Sequence, residues 1–312
     1  MSATRQRGYR RLTSTAVAIV GVGALLAGCT GNTPESSGGG GGANNASSNN
    51  DKSGDKVTIG FSAPAADHGW MAGITNAAKA AAENYEDVDL VVAEGTNDVS
   101  AQISQVETFI NDKVDAIVLL PFDGAALTPV AQKAMDAGIP VINVDRQFDS
   151  PFAARATILG DNYGMGVSAG TYICSQLGGK PNSVVAEIAG IDSLPLTQDR
   201  SRGFADALWN HDDDQGIGVL AAINQANRSE FIMVGGAGSK AAIDAIAADN
   251  SVLKATVTYS PSMASSAISL ARLIGQNKGM SDLVELQVPK EITLASETIT
   301  KDNAAKYAKT GF

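Results

Sequence analysis

The chain has 312 residues, room for two domains, with 33 acidic against 23 basic residues and a formal net charge of −10. A body this acidic excludes a nucleic-acid partner, because phosphate binding needs a basic face. Two histidines and two cysteines leave little material for a metal centre or a nucleophilic triad, and no metal or cofactor is implied.

The N-terminus is set apart from the rest. Arg5, Arg7, Arg10 and Arg11 precede an apolar stretch over 15–26, which is shorter than the ~20 residues that span a bilayer, and Leu26-Ala27-Gly28-Cys29 follows. Residues 1–28 read as a signal peptide with a lipoprotein processing site. Its removal takes four arginines and no acids, moving the net charge from −10 to −14. Residues 29–55 are Gly, Ser and Asn with almost nothing apolar, so they cannot bury enough surface to offset ordering entropy and read as a disordered tether.

From Lys56 short apolar runs alternate with helical patterns. Strands are expected at Val57–Ser62, 88–93, 115–120 and 139–144, with helices over 70–84, 101–111 and 127–137 between them. A second series follows: strands at 156–159, 183–188, 230–234 and 254–259, helices over 163–177, 196–207, 216–227, 239–248 and 262–276, and extended segments at 283–288 and 291–294. Such alternation means right-handed βαβ crossovers, parallel sheets and two α/β lobes with a crevice between them. One strand is missing: between the helix near Phe204 and the helix near Gly216 only residues 207–210 are available.

In open α/β sheets ligands meet the carboxyl ends of the strands. The buried run Ile139-Pro140-Val141-Ile142-Asn143-Val144 stops at Asp145 and Arg146, which are therefore candidates for ligand contacts or, more plainly, a surface ion pair. Asp67 is placed to cap the first helix, while His68 and Trp70 face either the crevice or the core. Phe122 and Asp123, Asp161 and Asn162, and the segments 192–200 and 211–214 end or follow other strands. Carboxylates, amides and a guanidinium with few aromatics suit a neutral ligand rich in hydroxyls. Residues 211–214, His-Asp-Asp-Asp, could ligate a metal, but no second ligand segment exists, and acids at a helix N-terminus are ordinary. Residues 235–238, Gly-Gly-Ala-Gly, are similar to a phosphate-binding turn without its full spacing. Cys174, on an apolar helix, is expected to be a buried, inert thiol.

The order of segments resembles the periplasmic sugar-binding proteins of ABC transporters, the type I family that binds ribose and galactose. The lipoprotein site, Val57–Ser62, 139–146, Gly160-Asp161-Asn162, 200–204 and 210–213 carry the resemblance. It implies two Rossmann-like lobes with parallel sheets, lobe 1 from 56–155 and 260–290, lobe 2 from 156–259 and 291–312. A hinge of three segments near 154–158, 259–262 and 288–291 would join them. His68, Trp70, Asp145, Arg146, Gln198, Arg200 and Asp212 are implied as ligand-binding residues, and Asp161 and Asn162 as more hinge than ligand.

The resemblance further implies a monomeric, extracytoplasmic, non-enzymatic lipoprotein held to the membrane by lipid on Cys29. It would bind a monosaccharide or related polyol in the cleft and deliver it to an ABC permease. The alternatives are a sugar sensor for a membrane receptor and an exported glycoside-acting enzyme. Two departures stand out. Gly236-Ala237-Gly238 replaces a motif with a carboxylate, and residues 205–210 replace roughly one βαβ unit, so the second lobe is expected to be truncated by an internal deletion.

Overall fold

The computed structural model describes residues 53–178, 183–191, 193–204, 212–277 and 289–312. The expected signal peptide, Cys29, nearly all of the tether, Asp192, the junction at 205–210, His211 and the extended segment 283–288 lie outside the described residues. All described residues belong to one compact unit, Ala46–Phe312. Among them no helix is long and apolar enough to cross a membrane.

The first layer system is a six-stranded parallel sheet in the order β2-β1-β3-β4-β5-β8. Its strands are β1 (Val57–Ser62), β2 (Val88–Val92), β3 (Ala116–Leu119), β4 (Val141–Val144), β5 (Ala156–Gly160) and β8 (Glu291–Leu294). Every residue of the central β3 and β4 is buried, as expected of apolar, largely β-branched runs covered on both faces. Helices α1 (Gly69–Glu83) and α8 (Met263–Gly275) share one core with the sheet, and α2 (Val99–Asp112) and α3 (Gly124–Asp136) share a second on its other face. Asp98 and Asp123 start α2 and α3 by accepting the amides of Ala101 and Ala126 at 2.7 and 2.9 Å.

The second sheet has, among the described residues, three strands in the order β6-β7-β9, with β6 (Met233–Ala237) parallel to β7 (Leu253–Thr258) and β9 (Thr298–Thr300) antiparallel. Around it lie α4 (Asn162–Leu177), α5 (Pro195–Phe204), α6 (Asp213–Gln225), α7 (Lys240–Ala248) and the short α9 (Ala304–Tyr307).

Several expectations need correction. β5 and β8, expected in the second lobe, pair with β4 and with each other and complete the first sheet. The crossings between sheets consequently fall at 160–162, 259–262 and 295–297. The expected strand at 183–188 is absent except for an isolated bridge at Ile188, and Val184 is 89% exposed. A strand needs a neighbour to take its amides and carbonyls, and among the described residues the segment pairs only at the Ile188 bridge. Cys174 is exposed rather than buried, because α4 turns Met165, Ala169 and Ile173 inward and leaves residue 174 on the outer face.

Candidate ligand-binding site

The site grows from the end of β4. Asp145 leaves the sheet with φ of 65°, a left-handed conformation that Asp adopts more readily than most non-glycine residues. Its amide still donates to the carbonyl of Ile158 in β5 at 2.9 Å. The carboxylate, 5% exposed, accepts the Tyr259 hydroxyl on Oδ1 at 2.5 Å. Arg146 donates through Nη1 to the carbonyl of Phe122 at 2.6 Å and lies 5.8 Å from the centre of that ring. Its Nε is buried without a hydrogen-bond partner, 3.8 Å from Oδ2 of Asp145. The pair thus faces inward, away from bulk water.

Trp70, in the first turn of α1, is buried, and its indole N–H donates to the carbonyl of Tyr259 at 2.9 Å. The two rings lie 5.6 Å apart at 41°. Trp70 therefore packs in the core and lines the cleft at once. Asp67 does not cap α1; it accepts from the side-chain amide of Asn97 at 2.8 Å. The cap comes from the other lobe: Asp214 Oδ2 accepts the Trp70 amide at 3.3 Å and lies 3.5 Å from His68 Nδ1. A carboxylate on α6 satisfies the α1 terminus because the two helix starts face each other across the cleft.

From the second lobe α5 buries Thr197, Arg200 and Phe204. Arg200 Nε donates to Asn162 Oδ1 at 2.8 Å, and its guanidinium sits 4.6 Å from the Tyr259 ring centre. Gln198 is exposed and does not line the cleft; the buried spacing 197, 200, 204 turns position 198 to the outside. Asp212 caps α6 by accepting the Asp214 amide at 2.8 Å, and burial raises its carboxyl above the ordinary range.

Asp213 points away from the cleft. It accepts the amides of Gly238 and Ser239 at 2.9 and 2.7 Å and the Thr256 hydroxyl at 2.9 Å. The turn that is similar to a phosphate cradle is therefore filled by a resident carboxylate, and a Cβ on Gly235 would come within 2.1 Å of it. Burial pushes the Asp213 carboxyl up to about 7. A group raised in the folded state adds most stability below its ordinary value and loses that contribution as pH rises through the folded value. The melting temperature should consequently fall between about pH 4 and 7 on account of this residue. Asp213→Asn should flatten that slope, and parallel melting curves for both proteins across the range would refute the assignment.

The structure brings His68, Trp70, Asp145, Arg146, Arg200 and Asp212 to the wall of one cavity of about 160 Å³. Tyr259 and Gln215 line it too, and neither was singled out from the sequence. Tyr259 ends a strand, so the strand-end rule that selected Asp145 selects it as well. A second cavity of about 440 Å³ shares Asp145, Arg146, Leu194 and Leu196 with the first and adds Asp161 and Asn162.

Residues 59–212 match the family described as periplasmic binding protein domain. Galactofuranose-binding protein YtfQ of Escherichia coli (strain K12) is 35% identical over 156 residues, 49% of this chain and 48% of the relative. The D-ribose/D-allose-binding protein of Pseudomonas aeruginosa is 34% identical over 208 residues, 64% of this chain and 61% of the relative. The matched region thus spans less than two thirds of either curated relative. The crystal structure of a galactofuranose binding protein superposes with a TM-score of 0.71 at 25% identity, covering 81% of this chain and 97% of that one. Residues 59–212 are therefore similar to a periplasmic binding protein domain, and the fold of the chain is the one seen in the solved galactofuranose binding protein.

Proposed function

We propose that the chain is an extracytoplasmic solute-binding protein of an ABC importer, which takes a monosaccharide or related polyol into the cleft and hands it to a permease. The observation that carries this reading is the convergence of Asp145 and Arg146 from one lobe with Arg200 and Asp212 from the other on a single small cavity walled by Trp70 and Tyr259. Carboxylates accept from hydroxyls, guanidinium groups donate to them, and aromatic faces cover the C–H face of a ring. A ligand touching both lobes favours their approach by its differential affinity, the hinge closure by which periplasmic binding proteins work. The sugars named for the relatives, galactofuranose and ribose or allose, support the same class. Lipid on Cys29 would hold the protein at the membrane, with 29–55 as its tether.

A thermal-shift screen tests the reading, with D-ribose, D-allose, D-galactose, xylitol and myo-inositol as the panel. A ligand at a hundred times its Kd stabilises by about 2.7 kcal/mol, a rise of several degrees. No rise with any panel member at millimolar concentration would sink it.

A further inference from the structure

Tyr259 is held from every side. Its amide donates to the carbonyl of Ala237 at the end of β6 at 2.9 Å, and its carbonyl accepts the Trp70 indole N–H. Its ring lies against Gly160, where a Cβ would sit 1.9 Å from Cε2, and under the Arg200 guanidinium. Its hydroxyl accepts from Asn162 Nδ2 at 3.3 Å and donates to Asp145 Oδ1. Burial and the neighbouring Asp145 carboxylate raise its own titration well above the ordinary phenol, so it remains a donor at any physiological pH.

This bears on what Asp145 can read. A carboxylate has two lone pairs on each oxygen and reads a vicinal pair of hydroxyls with one on each oxygen. Asp145 is 5% exposed, however, so an oxygen that already holds a protein donor has little room for a second. Here Oδ1 is occupied by a protein donor, whereas Oδ2 lies beside Arg146 Nε, a buried donor without a partner. A hydroxyl that donates to Oδ2 and accepts from Nε satisfies both groups. We infer that Tyr259 is a specificity-determining positioning residue of the cleft: it takes one oxygen of Asp145, so that the Asp145 and Arg146 pair reads a single hydroxyl of the ligand and not a vicinal pair. The inference rests on the polyol reading above and adds a selection rule to it.

The experiment uses whichever panel member binds most tightly, together with its monodeoxy forms, titrated calorimetrically into the wild type, Asp145→Asn and Tyr259→Phe. In the wild type, the effect of Asp145→Asn should couple to the loss of one ligand hydroxyl and to no other. Coupling to two adjacent hydroxyls overturns the inference. Tyr259→Phe keeps the ring on Arg200 and removes the donor. It should weaken the parent ligand about tenfold, the worth of a hydrogen bond to a charged group. That loss should vanish for the monodeoxy form lacking the hydroxyl read by Asp145. An equal loss for the parent and every monodeoxy form means a purely structural role and overturns the inference, as does unchanged affinity. If the wild type binds no panel member, the polyol reading falls and takes the selection rule with it. Binding without the coupling pattern removes the selection rule alone. Should Tyr259→Phe fail to fold, the wild-type and Asp145→Asn titrations still decide.

Discussion

Asp145→Asn should weaken binding of the tightest panel sugar by about a hundredfold, because truncating one member of a buried, hydrogen-bonded charge pair costs roughly 2–5 kcal/mol. The substitution keeps the shape of the side chain and a polar partner for the Tyr259 hydroxyl. It removes the negative charge 3.8 Å from Arg146 Nε. Arg146, 15% exposed at the cleft wall, keeps the carbonyls of Pro121 and Phe122 and stays within reach of solvent in the unliganded protein. The loss should therefore appear in affinity far more than in folding, with the melting temperature of the free protein changed by a few degrees at most. Isothermal titration of both proteins, with melting curves of the unliganded forms beside them, separates the two effects. Equal affinity in wild type and variant would take Asp145 out of the site.

Arg272→Met should destabilise the protein by about 3–5 kcal/mol, since breaking a buried ion pair leaves an uncompensated charge in the interior. Arg272 and Asp87 are 2% and 3% exposed, joined by two bonds, Nε to Oδ1 at 2.6 Å and Nη2 to Oδ2 at 2.7 Å. The guanidinium also lies 4.3 Å from the centre of the Tyr85 ring. Asp87 further accepts the Gly54 amide at 2.6 Å and Gln276 Nε2 at 2.7 Å, tying the start of the folded body to the end of α8. The Arg272 hydrogen bond holds the Asp87 carboxyl well below the usual carboxylate range. A depressed group adds stability above its ordinary value and loses it as pH falls toward the folded value. Arg272→Met should accordingly be costly at neutral pH and less so near pH 2, where Asp87 is protonated in the unfolded chain and much of the stability the pair lends the wild type has gone. Urea unfolding at both values reads this. Asp87→Leu combined with Arg272→Met should recover much of the loss, because a well-packed apolar pair avoids the stranded charge. A single variant within 1 kcal/mol of wild type at neutral pH would show that the pair contributes little.

The strand-end rule led to the candidate cleft because it depends on topology alone. A parallel sheet puts all its strand-to-helix loops at one edge, and the residues that end the strands must meet there. Asp145 and Arg146 could be read from one short segment, since a β-branched run that stops at a charged pair reports its own boundary. Gln198 could not be placed in the same way. Its neighbour Arg200 points inward and it does not, and the difference is 200° of helical rotation, set by which face of α5 meets α4. Asp67 fits a cap by type and position, yet Asp214, from a helix more than a hundred residues away, is the group that reaches the α1 amide.

Local chemistry in the sequence determined the alternation of strands and helices and the strand end at Asp145 and Arg146. These depend on side chains within a few residues of one another. Tertiary structure alone decided that β5 and β8 close the first sheet, that 183–188 forms an isolated bridge in place of a strand, and that Asp213 fills the glycine turn. It also decided that Tyr259 meets Asp145 across 114 residues of chain. The physical reason is that a strand carries its own propensity but not the identity of the free edge beside it, and a hydroxyl finds its acceptor only after the sheets are assembled.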